Sequence, residues 1–294
     1  MKSSSLFWAN TWVAITLLSL PIYLQAQTNL VVKHYQKQVR YQFGADLLHL
    51  ALSKFDTPFE IIAPATQKAN EGRGELLVIS GKLDLQWMST SRGREEKMIA
   101  VKVPIYQGIL GLRLLLVTKQ NHQALSQISS ISDLRHYTGG HGSHWHDLPV
   151  YAANKLKVNT YGNYQTLFTQ LEHNRFDYFH RGLNEIWQEQ ATHADKLKIA
   201  DNVMLFYPHP VYYFVNKDRP NLAQKIEEGL RMALMDGSFK KLFLSAHNDI
   251  IKKAKLAKRK LIVLKNPVVP SSPPKFNTQW WLPKKFQKHI IQPL

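Results

Sequence analysis

The sequence contains no cysteine and few acidic residues. Its 294 residues include 21 Asp and Glu against 38 Lys and Arg, which gives a formal net charge of +17 at pH 7. Without cysteine there can be no disulfide bond, thiol nucleophile, thiolate metal ligand or lipid-bearing cysteine. The content of 44% hydrophobic and 20% charged residues is typical of a globular chain. The missing disulfides therefore argue against a small secreted scaffold that depends on them.

Only the N-terminal segment contains an apolar run that approaches the length needed to cross a bilayer. Residues 1–26 combine an early lysine, an apolar run broken by Pro21, and the ending Leu24-Gln25-Ala26. This pattern predicts a signal peptide cleaved near Ala26 and a periplasmic mature chain that starts at Gln27. The alternative is an uncleaved anchor, since residues 6–23 are almost long enough to span a bilayer.

The excess of positive charge is concentrated at the C-terminus. From Ile250 onward there are eleven Lys and Arg and no Asp or Glu, and Pro and Ser cluster at residues 267–274. We expect residues 255–294 to form a basic, extended strap. The segment lacks the alternating basic and aromatic strand residues that stack bases, so it argues against nucleic acid and favours anionic envelope polymers or lipid headgroups.

Predicted strands and helices alternate along the rest of the chain. Residues 83–88 are apolar enough for a buried strand, and Pro220 opens a helix with an apolar stripe at Leu222, Ile226 and Leu230. This alternation predicts an α/β fold with mainly parallel sheets.

Three segments carry a resemblance to a known family: "GKLDLQWMSTSRGREEKMIAVKVPIYQGILGLRLLLVTK", "YQTLFTQLEHNRFDYFHRG" and "MDGSFKKLF". Together, in this order, they resemble the periplasmic solute-binding proteins of the polar amino-acid type (family 3), as a divergent or orphan member, over residues 30–247. The resemblance implies the two-lobed, type 2 periplasmic-binding fold. Lobe 1 would comprise residues 27–113 and 210–294, and lobe 2 residues 114–209. The crossing strands would fall near residues 114–119 and 206–216.

The resemblance also implies where a solute would bind. In the family an arginine after a Ser/Thr loop holds the ligand carboxylate, and this maps onto Arg94, with Arg92 as a nearby competitor. A guanidinium can bind a carboxylate with two parallel hydrogen bonds, and hydroxyl groups complete the shell. The hydroxyl groups would come from Ser89, Thr90 and Ser91.

The stretch "YTGGHGSHWH" occupies the place of the family's small-residue loop at a helix N-terminus. We expect this loop to form an amide-lined lip of the cleft, and Trp87 to contribute to the cleft wall. A structural turn, or a metal site at His141, His144 and His146, is the alternative for the same histidines. The expected lip residues are Gly140, Gly142, Ser143, His144 and Trp145.

One position departs from the family pattern. The family pairs the ligand's amino group with an acidic residue after a lobe 2 strand, and His180 or Arg181 stands there. A cation at this site repels an α-ammonium group, so the departure favours an anionic solute. Tyr35 is the nearest candidate for the family's aromatic platform.

Two functional hypotheses follow. In the first, the chain binds a small anionic or amino-acid-like solute and passes it to a membrane permease or receptor. In the second, it is a sensor or scaffold module with a degenerate cleft, and its basic tail docks a membrane partner. No Ser/His/Asp set has a credible spacing, so we do not expect an enzyme. We also expect a monomeric protein that needs no cofactor.

Overall fold

The computed structural model describes residues 29–36, 41–64 and 71–270. The predicted signal peptide, residues 1–26, and the end of the predicted strap, residues 271–294, lie outside these ranges. Within them, no helix has both the length and the apolar character required to cross a bilayer.

The described chain contains twelve strands. They are β1 (Leu30–Lys33), β2 (Phe59–Ile62), β3 (Leu85–Ser89), β4 (Ile99–Val101), β5 (Leu112–Thr118), β6 (Thr138–Gly142), β7 (Lys157–Tyr161), β8 (Tyr178–Gly182), β9 (Leu197–Ile199), β10 (Val203–Phe206), β11 (Val211–Val215) and β12 (Lys260–Val263).

Ten α-helices and two short 3₁₀ turns connect these strands. The helices are α1 (Gln42–Leu52), α2 (Glu71–Ile79), α3 (Arg92–Lys97), α4 (His122–Ser126), α5 (Ile131–Leu134), α6 (Leu148–Ala153), α7 (Tyr164–Glu172), α8 (Ile186–Thr192), α9 (Pro220–Met235) and α10 (Ser238–Ala254). The 3₁₀ turns are Ile109–Gly111 and Leu256–Lys258.

The first lobe is built on the three-stranded sheet β3-β11-β4 and the parallel pair β1-β2. The amide of Asp84 donates to the carbonyl of Lys33 at 3.0 Å, which joins the pair to the start of β3. Helices α1, α9 and α10 pack together in this lobe. Gly229 of α9 lies against the backbone of Ala51, where a Cβ atom would collide with the carbonyl oxygen. We call β1–β4, β11, α1–α3, α9 and α10 lobe 1.

The second lobe is built on a larger sheet with the strand order β12-β10-β5-β8-β6-β7, in which β9 also pairs with β5. Parallel and antiparallel pairs both occur in it, so the sheet is mixed, not mainly parallel. We call β5–β10, β12 and α4–α8 lobe 2. The chain passes between the lobes at residues 102–111, 207–210 and 255–259, so the first crossing precedes the predicted residues 114–119, which lie largely in β5.

The predicted strap was expected to be extended and to belong to lobe 1, but its first residues fold into lobe 2. Residues 256–258 form a turn, and β12 pairs in parallel with β10 of lobe 2, not with lobe 1. The reason is apolar burial, because Ile262 and Leu264 enter the lobe 2 core. The buried guanidinium of Arg259 secures the turn through hydrogen bonds to the carbonyls of Ala200 and Val203, at 2.6 and 3.0 Å.

Candidate functional site

The two lobes face each other across a cleft that is nearly filled by protein. A cavity of about 10 Å³ remains, which is room for about one water molecule. Lobe 1 contributes the end of β3, lobe 2 contributes the loop before α6, and the second crossing and the chain after β12 close the remaining sides. The lining residues are Ser89, Thr90, His146, Asp147, His209, Asn266 and Val268.

Arg94 lies at the lobe 1 side of this cleft, on α3. The helix starts at Ser91, whose hydroxyl caps the amide of Arg94 at 3.4 Å. The Arg94 side chain is 2% exposed, and its guanidinium donates to the Ser89 carbonyl and hydroxyl at 2.6 and 3.1 Å. The predicted carboxylate-binding residue is therefore held by the Ser loop that precedes it.

Two carboxylates of helix α2 already occupy the Arg94 guanidinium. Glu71 contacts Nη2 at 2.6 Å and Glu75 contacts Nε at 3.1 Å. From lobe 2, His146 Nε2 approaches Nη2 at 2.7 Å. Glu71 is 43% exposed. Arg94 thus contacts residues of both lobes. One of its partners, Glu71, is accessible to water.

Arg181, in strand β8 of lobe 2, is enclosed more completely. It pairs with Glu185 at 2.6 Å and with both carboxylate oxygens of Glu189, a side chain that is only 9% exposed. The ring centroids of Trp145 and Phe179 lie 5.0 and 4.7 Å from the guanidinium carbon. The Tyr164 hydroxyl donates to Glu189 at 2.5 Å. Because two carboxylates surround Arg181, the electrostatic reason for excluding an α-ammonium group from this region no longer holds.

The glycine-rich stretch that was expected to be a loop forms strand β6. It pairs in parallel with β7 over its whole length and with β8 at Gly139 and Gly140. A Cβ atom on Gly140 would collide with the ring of Phe176, and one on Gly142 with that of Trp145. These glycines therefore make room for aromatic rings, and the turn that follows, at residues 143–147, is the part that meets the cleft.

The three histidines of this stretch lie in different surroundings. His141 is fully buried and meets Asp147 at 3.2 Å, His144 is exposed, and His146 contacts Arg94. Among the described residues, no group of three His, Asp or Glu side chains is arranged to hold a metal ion. The side chains of His141, His144 and His146, the alternative metal ligands, therefore have separate surroundings in this structure.

Asp147 is the centre of a buried polar network behind the cleft. It accepts from the Tyr207 hydroxyl at 2.6 Å and from Arg113 at 3.2 Å. Burial alone would raise its pKa, but hydrogen bonding with His141 and the charge of Arg113 hold the pKa well below its usual range. His141 contacts Asp147 through Nε2 and the Gly142 carbonyl through Nδ1. Nδ1 lies 2.8 Å from the carbonyl oxygen, and Nε2 lies 3.2 Å from Asp147 Oδ1.

The other predicted residues divide between core and rim. Trp87 is buried in lobe 1, where its ring meets Tyr41, Tyr213 and His34. The Thr90 hydroxyl donates to Glu95 at 2.7 Å. Ser143 is exposed at the rim of the cleft. Tyr35 lies under Gly74 of α2, so of the predicted residues Ser89 and Thr90 line the small cavity directly.

The fold has many counterparts among solved structures. A probable amino-acid ABC transporter extracellular-binding protein from Bacillus subtilis aligns with a TM-score of 0.59 and 18% identity, over 75% of this chain and 98% of that one. A putative ABC-transporter binding component from Wolinella succinogenes, complexed with lysine, gives 0.54 and 16%, over 74% and 95%. The chain has the periplasmic solute-binding protein fold. No family model and no curated protein matches the sequence.

Two reconstructed ancestral proteins have the same periplasmic solute-binding protein fold. An ancestral arginine-binding protein bound to arginine aligns with a TM-score of 0.51 and 20% identity, over 74% of this chain and 97% of that one. An ancestral amino acid-binding protein, a precursor of cyclohexadienyl dehydratase, gives 0.51 and 16%, over 74% and 94%. The solved structures thus include binding proteins and one precursor of an enzyme.

In this periplasmic-binding fold, sequence reasoning missed the partners of the arginines. Glu71 and Glu75 lie about twenty residues before Arg94, on a separate helix, and no local pattern links them. Glu185 and Glu189 follow Arg181 closely in the sequence, so this spacing could have been used to predict their ion pairs with Arg181. The cleft residues Asn266 and Val268 were also missed, because the basic composition around them suggested a solvated strap.

Proposed function

We propose that the protein binds a small amino-acid-like solute between its lobes, in a conformation with the lobes further apart than here. The observation that carries the proposal is the surroundings of Arg94. Its guanidinium contacts the carboxylates of Glu71 and Glu75 at 2.6 and 3.1 Å, in the position that a solute carboxylate would take. Lobe opening separates His146 from Arg94 and leaves the half-exposed Glu71 free to move.

The charges around the cleft favour a zwitterion over a purely anionic solute. Three arginines, Arg94, Arg113 and Arg181, pair with five carboxylates, those of Glu71, Glu75, Asp147, Glu185 and Glu189. An anion that displaced a glutamate would leave that carboxylate without a counterion. Because a solute with both a carboxylate and an ammonium group carries no net charge, it can replace Glu71 at Arg94 without adding negative charge to surroundings in which carboxylates already outnumber arginines. This reasoning replaces the anionic solute favoured by the sequence.

The proposal places the protein in the periplasm as a carrier that hands its solute to a membrane permease or receptor. The similarity in fold to ABC-transporter binding proteins supports this role. The binding proteins among the solved structures of similar fold also support a non-enzymatic role.

A thermal-shift screen tests the proposal. The mature chain is heated with amino acids, dicarboxylates, sugars, phosphate and divalent metals, and we expect amino acids to raise its melting temperature most. Arg94→Ala should abolish the shift, whereas Arg92→Ala, at an exposed position of the same helix, should keep it. Equal shifts in both variants, or stabilisation only by dicarboxylates, would contradict the proposal.

A second candidate is a sensor or scaffold module whose cleft is degenerate. The cavity of about 10 Å³ favours it, because no amino acid fits in the space left between the lobes. In this case the basic tail carries the function by docking an anionic membrane surface. Cosedimentation with phosphatidylglycerol vesicles, lost at high salt and in the triple variant Lys284→Gln, Lys285→Gln, Lys288→Gln, supports this candidate if every solute in the screen fails.

A further inference from the structure

The chain returns to the cleft after its last helix. Beyond β12, the amide of Leu264 continues the pairing with β10 by donating to the Phe206 carbonyl at 2.7 Å. Leu264 is fully buried in the lobe 2 core. The segment therefore belongs to lobe 2 and runs beside the second crossing between the lobes.

Two asparagines fix the segment at that crossing. Asn154, at the end of α6, donates to the Lys265 carbonyl at 2.8 Å and accepts from the Lys265 amide at 2.9 Å. The Asn266 side chain donates to the Pro208 carbonyl at 2.7 Å and accepts from the Val268 amide at 2.9 Å. These paired bonds hold the backbone of residues 264–268 in one position relative to the cleft.

Asn266 and Val268 then line the interlobe cavity, opposite Ser89 and Thr90 of lobe 1. We propose that residues 264–268 form a third wall of the cleft, limit the space between the lobes, and thereby set the size of the solute admitted. The size limit rests on the function proposed above, whereas the wall does not.

The first experiment tests the wall without any solute. Because the protein has no cysteine, Ser89→Cys places a single thiol in the cavity lining, and its alkylation rate by a maleimide measures access. We expect Val268→Gly to raise this rate at least tenfold and Lys265→Ala to leave it unchanged. Lys265 is a matched control, since its side chain is exposed and its backbone bonds to Asn154 remain. An equal rate with and without Val268→Gly overturns the inference.

The second experiment tests the size limit by calorimetry with glycine, alanine, leucine and arginine. Val268→Ala should raise the affinity for the larger amino acids at least tenfold relative to the smaller ones. Val268→Trp should weaken binding of all four at least tenfold. Identical selectivity in the wild type and Val268→Ala overturns the size limit. If the thiol introduced by Ser89→Cys becomes accessible as expected but no variant binds a solute, the wall stands and the proposed function fails.

Discussion

Arg94 and Arg181 are both buried and each is paired with two glutamates, yet their surroundings differ in one decisive way. The partners of Arg181 come from its own lobe, one of them is almost fully buried, and aromatic rings cover the guanidinium. The partners of Arg94 include the half-exposed Glu71 and a histidine of the other lobe. We therefore propose that Arg94, and not Arg181, exchanges a partner for a solute when the lobes separate, whereas Arg181 stabilises lobe 2.

The largest expected effect is on stability, at Arg181. Arg181→Ala leaves the buried Glu189 carboxylate unpaired, and removal of one partner from a buried ion pair costs about 3–5 kcal/mol. Urea unfolding of the mature chain measures this loss. The double variant Arg181→Met, Glu189→Met should be much less destabilised, because no charge remains without a partner. A loss below about 1 kcal/mol in the single variant would show that Arg181 is not structural.

The second prediction concerns stability at Arg94, where the loss should be smaller. Arg94→Ala should cost about 1–2 kcal/mol, because Glu71 and Glu75 can turn toward water once the guanidinium is gone. The same urea series compares it directly with Arg181→Ala. If Arg94→Ala destabilised the chain as much as Arg181→Ala, the distinction between the two sites would be lost.

The third prediction extends the contrast to two neighbouring histidines. His180 is fully buried and neither of its ring nitrogens has a hydrogen-bond partner among the described residues, whereas Nδ1 of His141 bonds with the Gly142 carbonyl at 2.8 Å. The His180 ring stacks on Tyr151 with centroids 4.3 Å apart. His180→Phe keeps the stacking and removes no hydrogen bond, so it should leave stability at pH 7 within about 1 kcal/mol of the wild type. His141→Phe should cost about 1–3 kcal/mol.

The pH dependence of these variants follows from the pKa of His180. Burial lowers this pKa well below its usual value, and the neighbouring His141 lowers it further. The unfolded chain therefore binds a proton below about pH 6.5 that the folded chain does not. Through this one group, stability falls by up to about 1.4 kcal/mol for each pH unit below that point. His180→Phe should flatten this fall between about pH 6.5 and 5 in urea titrations, and an unchanged slope would contradict the assignment.

The smallest expected effect is at Glu71. Glu71→Gln keeps the size of the side chain and weakens its hold on Arg94, so an incoming carboxylate meets less competition. Because the Glu71 side chain is 43% exposed, we expect stability to change by less than about 1 kcal/mol and solute affinity to rise severalfold. Glu96→Gln, at an exposed position of α3, is the control. Calorimetry measures both, and a weaker affinity in Glu71→Gln would show that the carboxylate helps to bind the solute.

The order of strands and helices was predictable, because it follows from hydrophobic periodicity and from local signals such as Pro220 at the start of α9. Strand β6 was not predictable, since "TGGHG" has little strand propensity. It is stabilised by β7, β8 and the ring of Phe176. Strand β12 was also missed, because its short apolar run "LIVL" lies between lysines in a segment of basic composition. The pairing of Arg94 with α2 depends on how the helices pack, and sequence spacing alone does not encode it.

The exchange of glutamate partners for a solute at Arg94 is the central claim. Its most direct test is calorimetry of the amino acid selected by the thermal-shift screen against the wild type, Arg94→Ala and Glu71→Gln. We predict at least tenfold weaker binding by Arg94→Ala and severalfold tighter binding by Glu71→Gln. Equal affinities in all three proteins, or no heat of binding in any of them, would contradict the claim.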